Sequence, residues 1–197
     1  MMKLLCVTNR TLCREEDFFI RIRKLAESGI PVILREKDLT ESAYYELSRQ
    51  VLQENPEIIL HSFVHTAQEL QVRKIHLPMN LFRNLKNHDC FSQIGVSVHS
   101  VREAQEAEAL HADYLIAGHI FQTDCKKDLS PRGLQFLEEV CRRVRIPVYA
   151  IGGISPRNIN FVRDAGASGA CIMSGFMQCR NLTQFLEDFL CEFNPKN

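Results

Sequence analysis

Apolar positions along the chain fall into eight short runs separated by longer stretches of helical period. The runs are Lys3–Thr8, Val32–Arg35, Glu57–His61, Lys74–Leu77, Gln93–Val98, Tyr114–Gly118, Val148–Ile151 and Ala170–Met173. They are largely β-branched or Leu and nearly continuous, as strands buried on both faces require. Between them the period changes. Phe18, Ile22, Leu25 and Ala26 share one face of a predicted helix over Asp17–Ala26, and Gly29 stops it. Ser100-Val101-Arg102-Glu103 reads as a capping box that opens a helix running to about Leu110. Ser155-Pro156 supplies an N-cap and then a proline at the first helical position, where its missing N–H costs nothing.

Eight strands alternating with helices predict parallel βαβ units. Right-handed crossovers close eight such units into a (β/α)8 TIM barrel, an α/β fold. The rival is an open doubly wound sheet. That fold wants a glycine-rich turn after the first strand, and Thr8-Asn9-Arg10 stands there without a glycine. With 197 residues the barrel is of near-minimal length, and residues 1–197 are expected to form one domain with no insertion.

Charge narrows the partners. The 24 basic and 24 acidic side chains balance to a net charge of zero, and no basic block occurs. Nucleic acid is therefore not an expected partner. No segment approaches the ~18 apolar residues of a membrane span, and the apolar run at the N-terminus is too short for a signal peptide. The 8 cysteines are irregularly spaced, without Cys-x-x-Cys. They read as reduced thiols, and a cytoplasmic location is the corresponding expectation. Glycine is scarce, yet five of the 9 glycines (Gly152, Gly153, Gly166, Gly169 and Gly175) lie in one C-terminal stretch.

A barrel carries its chemistry at the C-terminal ends of its strands. Gly152 and Gly153 follow the seventh strand, and Ser174 and Gly175 follow the eighth. Such turns let backbone N–H groups approach an anion closely, which suits a phosphate site, although glycines also serve tight turns alone. Arg35 and Lys37 alternate with Glu36 and so share a face. They suit carboxylate or phosphate oxygens, or else form a solvated charge run neutralised by Glu36 and Asp38. His119, just after Gly118, is the acid/base candidate, because an imidazole titrates near neutral pH. His61 is a second mouth histidine. Its i,i+4 spacing to His65 hints at a metal, but no carboxylate or cysteine follows, so no metal site is expected. His76 alternates with Ile75 and Leu77, as a barrel-lining residue would. His88 and His111 read as surface residues. Cys125 beside Lys126 has no paired base and reads as a bystander.

Taken together, several segments resemble the thiamine phosphate synthase/TenI superfamily over nearly the whole chain. They are Ile33-Leu34-Arg35-Glu36-Lys37-Asp38-Leu39, Gly95-Val96-Ser97-Val98-His99-Ser100, Gly118 to Gly133, Ala150-Ile151-Gly152-Gly153-Ile154-Ser155 and Ile172-Met173-Ser174-Gly175. The Gly118–Lys126 segment is more similar to the thiazole tautomerase branch (TenI) than to the synthase branch. The synthase pattern has Gln-x-Arg-x-Lys after the second strand, where Ile33 replaces Gln here. It has Asn-Asp after the third strand, read here as His61-Ser62, and a second metal-binding Asp after the fourth, read here as Pro78-Met79-Asn80. A hard Mg²⁺ needs such carboxylates to compete with its hydration shell.

The resemblance thus implies a thiazole tautomerase, an isomerase that aromatises a carboxythiazole phosphate by proton transfer. It implies no cofactor or metal, and a small phosphorylated thiazole carboxylate as the binding partner. His119 would be the acid/base and His61 a second proton carrier. Gly152, Gly153, Ser174 and Gly175 would hold the phosphate. Arg35, Lys37, Ser97, Thr123 and Lys126 would contact the carboxylate and ring. A homodimer or larger homo-oligomer is also implied. The alternatives are the Mg²⁺-dependent synthase, a transferase, and a regulatory protein that binds thiazole phosphate without chemistry. The absence of a helix-turn-helix signal speaks against direct DNA contact by such a regulator.

Overall fold

The computed structural model describes residues 2–123 and 129–193. All eight predicted strands form. They are β1 (Lys3–Val7), β2 (Val32–Leu34), β3 (Ile59–His61), β4 (Lys74–Pro78), β5 (Gln93–Val98), β6 (Tyr114–Gly118), β7 (Val148–Ile151) and β8 (Gly169–Ile172). Each pairs in parallel with its neighbour in sequence, and β8 pairs with β1 to close the barrel, with Lys3 opposite Gly169 and Cys6 opposite Ile172. The structure is thus the predicted closed (β/α)8 barrel. Three predicted strands match to the residue, and the others shift by one or two positions, where hydrogen-bond ladders fray.

The continuous apolar runs have a direct cause. Along β1, Leu4 and Cys6 pack outward against helices, while Leu5 and Val7 pack inward with Ile33, Ile59, Ile116 and Cys171. Both faces of the strand are dry, so both parities are apolar. The outer ring begins with α1 (Glu15–Glu27), which buries Phe18, Ile22 and Leu25. Gly29 follows it at φ 68°, in the left-handed region expected of a residue just past a helix. The ring continues through α2 (Glu41–Glu54), α3 (Val64–Glu69), α4 (Met79–Arg83), α5 (Val101–Ala109), α6 (Gly133–Arg143), α7 (Ile159–Asp164), α8 (Ser174–Gln178) and α9 (Leu182–Phe193). Among the described residues, no helix is long and apolar enough to cross a membrane.

Both predicted caps form, with one change. The Ser100 hydroxyl accepts the Glu103 N–H at 3.1 Å, but the Glu103 carboxylate accepts from the His99 N–H at 2.6 Å, one residue further back than in a capping box. That contact ties the start of α5 to the last residue before it, at the rim of the barrel. Ser155 and Pro156 open a 3-10 turn over Pro156–Asn158, which leads into α7.

Candidate active site

A cavity of about 490 Å³ opens at the C-terminal ends of the strands. Its size lies within the usual range for small-molecule sites. The sequence-predicted residues Arg35, Lys37, His61, Ser97, His119 and Thr123 all line it, together with Gly152, Gly153 and Ser174. Gly175 does not. A Cβ there would stand 2.5 Å from the Phe185 ring, so this glycine makes room for α9 to pack. Lys126 and Cys125 lie outside the described residues. Asn9, His76, Pro78, His99 and Met173 also line it, and apolar side chains such as Ile33 and Ile116 form much of the rest.

The β2 edge supplies charge. Arg35 is half-buried and Lys37 exposed, with the buried Glu36 between them. The alternation of side chains past the strand end turns Glu36 away from the cavity, into a clamp with the end of β1. Its carboxylate accepts from the Thr8 hydroxyl at 2.5 Å, from the Arg10 backbone N–H at 3.0 and 3.1 Å, and from the Arg10 guanidinium at 3.2 Å. The same guanidinium spans both Asp38 oxygens at 2.8 and 2.6 Å. This forked contact holds the Asp38 carboxyl below its ordinary range and raises Arg10. Glu36 and Asp38 are therefore engaged by Arg10, which decides against a solvated charge run. The Thr8 hydroxyl also accepts the Arg35 N–H at 2.9 Å, so the backbone that carries Arg35 is fixed to β1.

The β3–β4 wall is different. His61 and His76 sit opposite each other in register and stack with ring centroids 5.7 Å apart. Burial, above all, pushes both imidazoles down, His61 to about 2 and His76 to about 3. The nearby cations of Arg35 and Lys37 push the same way. Both rings are neutral near pH 7, which fits His61 as a neutral hydrogen-bonding group and not as the second proton carrier. Its Nδ1 lies 2.7 Å from the Ser62 hydroxyl. His99 donates Nδ1–H to the Gly118 carbonyl at 2.8 Å, which leaves Nε2 as an acceptor at the mouth. His119 is buried, and its Nε2–H donates to the Leu129 carbonyl at 3.2 Å.

Opposite this wall, the turn after β7 has Gly152 at φ 104° and Gly153 at φ 64°. Only glycine holds both conformations without strain. Packing requires them too. A Cβ on Gly152 would lie 2.4 Å from the His119 Cβ, and one on Gly153 would lie 2.3 Å from the Gln122 carbonyl oxygen. The turn therefore presents its backbone to the cavity and seats the segment that carries His119. Gly166, by contrast, ends α7, and Gly169 yields space to the Tyr149 ring.

Known proteins similar to this chain share the whole architecture. The thiamine-phosphate synthase of Fusobacterium nucleatum is 28% identical over 98% of this chain and 97% of its own length. That of Desulfitobacterium hafniense is 34% identical, covering 88% of each chain. Among solved structures, the thiamine phosphate pyrophosphorylase of Pyrococcus furiosus superposes with a TM-score of 0.81 at 27% identity, over 98% of this chain and 96% of that one. These relatives bear the name of the transferase, which overturns the expectation of a thiazole tautomerase and of an isomerase. The missing carboxylates at His61-Ser62 and Pro78-Met79-Asn80, with the Gly118–Lys126 segment, pointed to the wrong branch. Residues 4–176 match the TMP-TENI family, described as thiamine monophosphate synthase, and this chain belongs to that family.

Proposed function

We propose that the mouth joins a phosphorylated thiazole to a pyrimidine carrying a diphosphate leaving group, as a thiamine-phosphate synthase. The observation that carries this reading is the similarity, over nearly the whole chain, to relatives of that name. In the step, the thiazole ring nitrogen forms a bond to the pyrimidine methylene carbon. The bond from that carbon to the diphosphate oxygen breaks, and the electron pair leaves with pyrophosphate. No redox change and no net proton transfer are involved. Gly152, Gly153 and Ser174 would receive the thiazole phosphate through backbone N–H groups and a hydroxyl. Arg35 and Lys37 would meet the diphosphate, where negative charge accumulates as the bond breaks; fixed charges of this kind need no reorganisation at the moment of reaction. His61, His119 and Thr123 would orient the two rings, which is how a site turns an encounter into a unimolecular step.

The family resemblance implies Mg²⁺ for this reaction, and the donor set does not fit it. Mg²⁺ takes oxygen ligands in near-octahedral array. The positions in question hold His61, Ser62 and Pro78-Met79-Asn80. Glu36, the buried carboxylate of the mouth, is committed to Thr8 and Arg10. Among the described residues no group of three or more His, Cys, Asp or Glu side chains is placed to hold a metal ion. The same donor set favours a second reading, in which the mouth binds the phosphorylated thiazole without coupling it.

One experiment separates the two. The purified chain is incubated with both substrates, with Mg²⁺ or with EDTA, and thiamine phosphate and pyrophosphate are quantified. The transferase reading expects the two products in equal amounts in at least one arm. No product in either arm, with the thiazole phosphate still bound, overturns it in favour of the binder.

A further inference from the structure

Three neighbouring strands bring a tyrosine, a histidine and a serine into one line inside the barrel. His76 on β4 lies opposite Gly95 on β5, and Gly95 lies opposite Tyr114 on β6. Glycine in the middle is what lets the outer two meet. A Cβ at Gly95 would stand 2.1 Å from the Tyr114 ring and 2.5 Å from His76 Nδ1. Across that gap the Tyr114 hydroxyl lies 3.3 Å from His76 Nδ1, and His76 Nε2 lies 2.8 Å from the Ser97 hydroxyl at the cavity wall.

The direction of these bonds follows from what each group is able to give. Tyr114 is buried, which holds its phenol well above its ordinary range, so it keeps its proton near neutral pH. Among the described residues, the hydrogen-bond partner of that hydroxyl is His76 Nδ1. If Nδ1 carried a hydrogen instead, the buried phenol proton would have no acceptor, which is costly. A neutral imidazole has one N–H. With Nδ1 accepting, the hydrogen sits on Nε2 and is donated to Ser97. The serine oxygen is then an acceptor toward His76, and its own hydrogen turns to the cavity.

We propose that Tyr114 and His76 are positioning residues that fix Ser97 as a hydrogen-bond donor toward a phosphoryl oxygen of the ligand. The assignment of a phosphoryl oxygen rests on the reading above, that phosphorylated substrates enter this mouth. The relay does not, because its three groups all belong to the chain itself.

Two measurements on the full chain test it. In protein labelled with ¹⁵N at histidine, long-range proton–nitrogen spectra near neutral pH report the tautomer of His76. The expected result is a hydrogen on Nε2 in the wild type and a mixture of tautomers in Tyr114→Phe, which keeps the ring in its packing place. A hydrogen on Nδ1 in the wild type overturns the relay. Calorimetry with inorganic pyrophosphate then reads the ligand side. Tyr114→Phe and Ser97→Ala are each expected to weaken binding roughly fivefold, the size of one hydrogen bond, and the double variant by no more than either alone. Multiplying effects in the double variant, unchanged affinity in the single variants, or no pyrophosphate binding by the wild type overturns the donor subsite. Thiamine phosphate formation by the wild type is scored separately, so loss of the transferase reading leaves the tautomer result intact.

Discussion

The two sides of the mouth carry charge in opposite ways. The β2 edge presents Arg35 and Lys37 and spends a whole clamp, Thr8, Arg10, Glu36 and Asp38, on keeping the strand ends in place. The β3–β4 wall presents two stacked imidazoles held neutral by burial. The difference teaches where charge is tolerable. At the rim, guanidinium and carboxylate groups reach water or each other, whereas inside the barrel an ionised group loses its hydration, so the imidazoles shed their protons. For an anionic ligand the consequence is direct: among the described residues the inner wall offers no carboxylate to recruit a cation, so negative charge would be matched from the β2 edge and from backbone N–H groups.

The largest effect is expected from breaking the clamp. Glu36 is 2% exposed and satisfies a buried hydroxyl, a backbone N–H and part of a guanidinium at once. Glu36→Ala leaves those donors without an acceptor and is expected to cost about 3 kcal/mol of stability, the range for a broken buried pair. Glu36→Gln keeps the shape and one acceptor oxygen and should lose less. Urea unfolding of the three proteins checks the order. Equal midpoints for wild type and Glu36→Ala would mean that the strand ends hold their positions without the clamp.

Next in size is the charge itself. Arg35→Ala removes a cation from the β2 edge, and pyrophosphate binding is expected to weaken roughly ten- to hundredfold, as for loss of a charge-assisted contact. The loss should shrink at high salt, because an open mouth is screened. A variant that binds as tightly as wild type would move the charge-matching role to the β7 turn.

The contrast also explains what was legible in the sequence. Strands were readable because a barrel strand is dry on both faces, so β1 and β6 announce themselves as continuous runs. Arg35 and Lys37 were placed correctly by simple alternation beyond β2. The clamp was not, since Arg10 and Glu36 are 26 positions apart and nothing local in Thr8-Asn9-Arg10 signals the partner. Gly175 was misassigned because a glycine serves close approach to an anion or to a ring equally well, and only the fold brings Phe185 to it. The choice of branch failed for a related reason. The missing carboxylates read locally as a lost metal site and His61 as a proton carrier, but the protonation of His61 is set by burial, a property of the assembled barrel.

The effect that sharpens the contrast most is acid sensitivity. His61 and His76 are depressed in the folded barrel from 6.5 to about 2 and about 3, so between pH 6.5 and those values the unfolded chain binds more protons than the folded one. Stability then rises with pH, and the sign of the effect is a loss on acidification. The full contribution is present above pH 6.5 and is lost progressively as pH falls toward 3. His76→Gln, which carries no titrating group, should flatten the pH dependence of the urea midpoint between pH 6 and pH 4 by one histidine's share. If His76→Gln keeps the wild-type slope, the imidazole of His76 is protonated inside the barrel, and the wall carries charge after all.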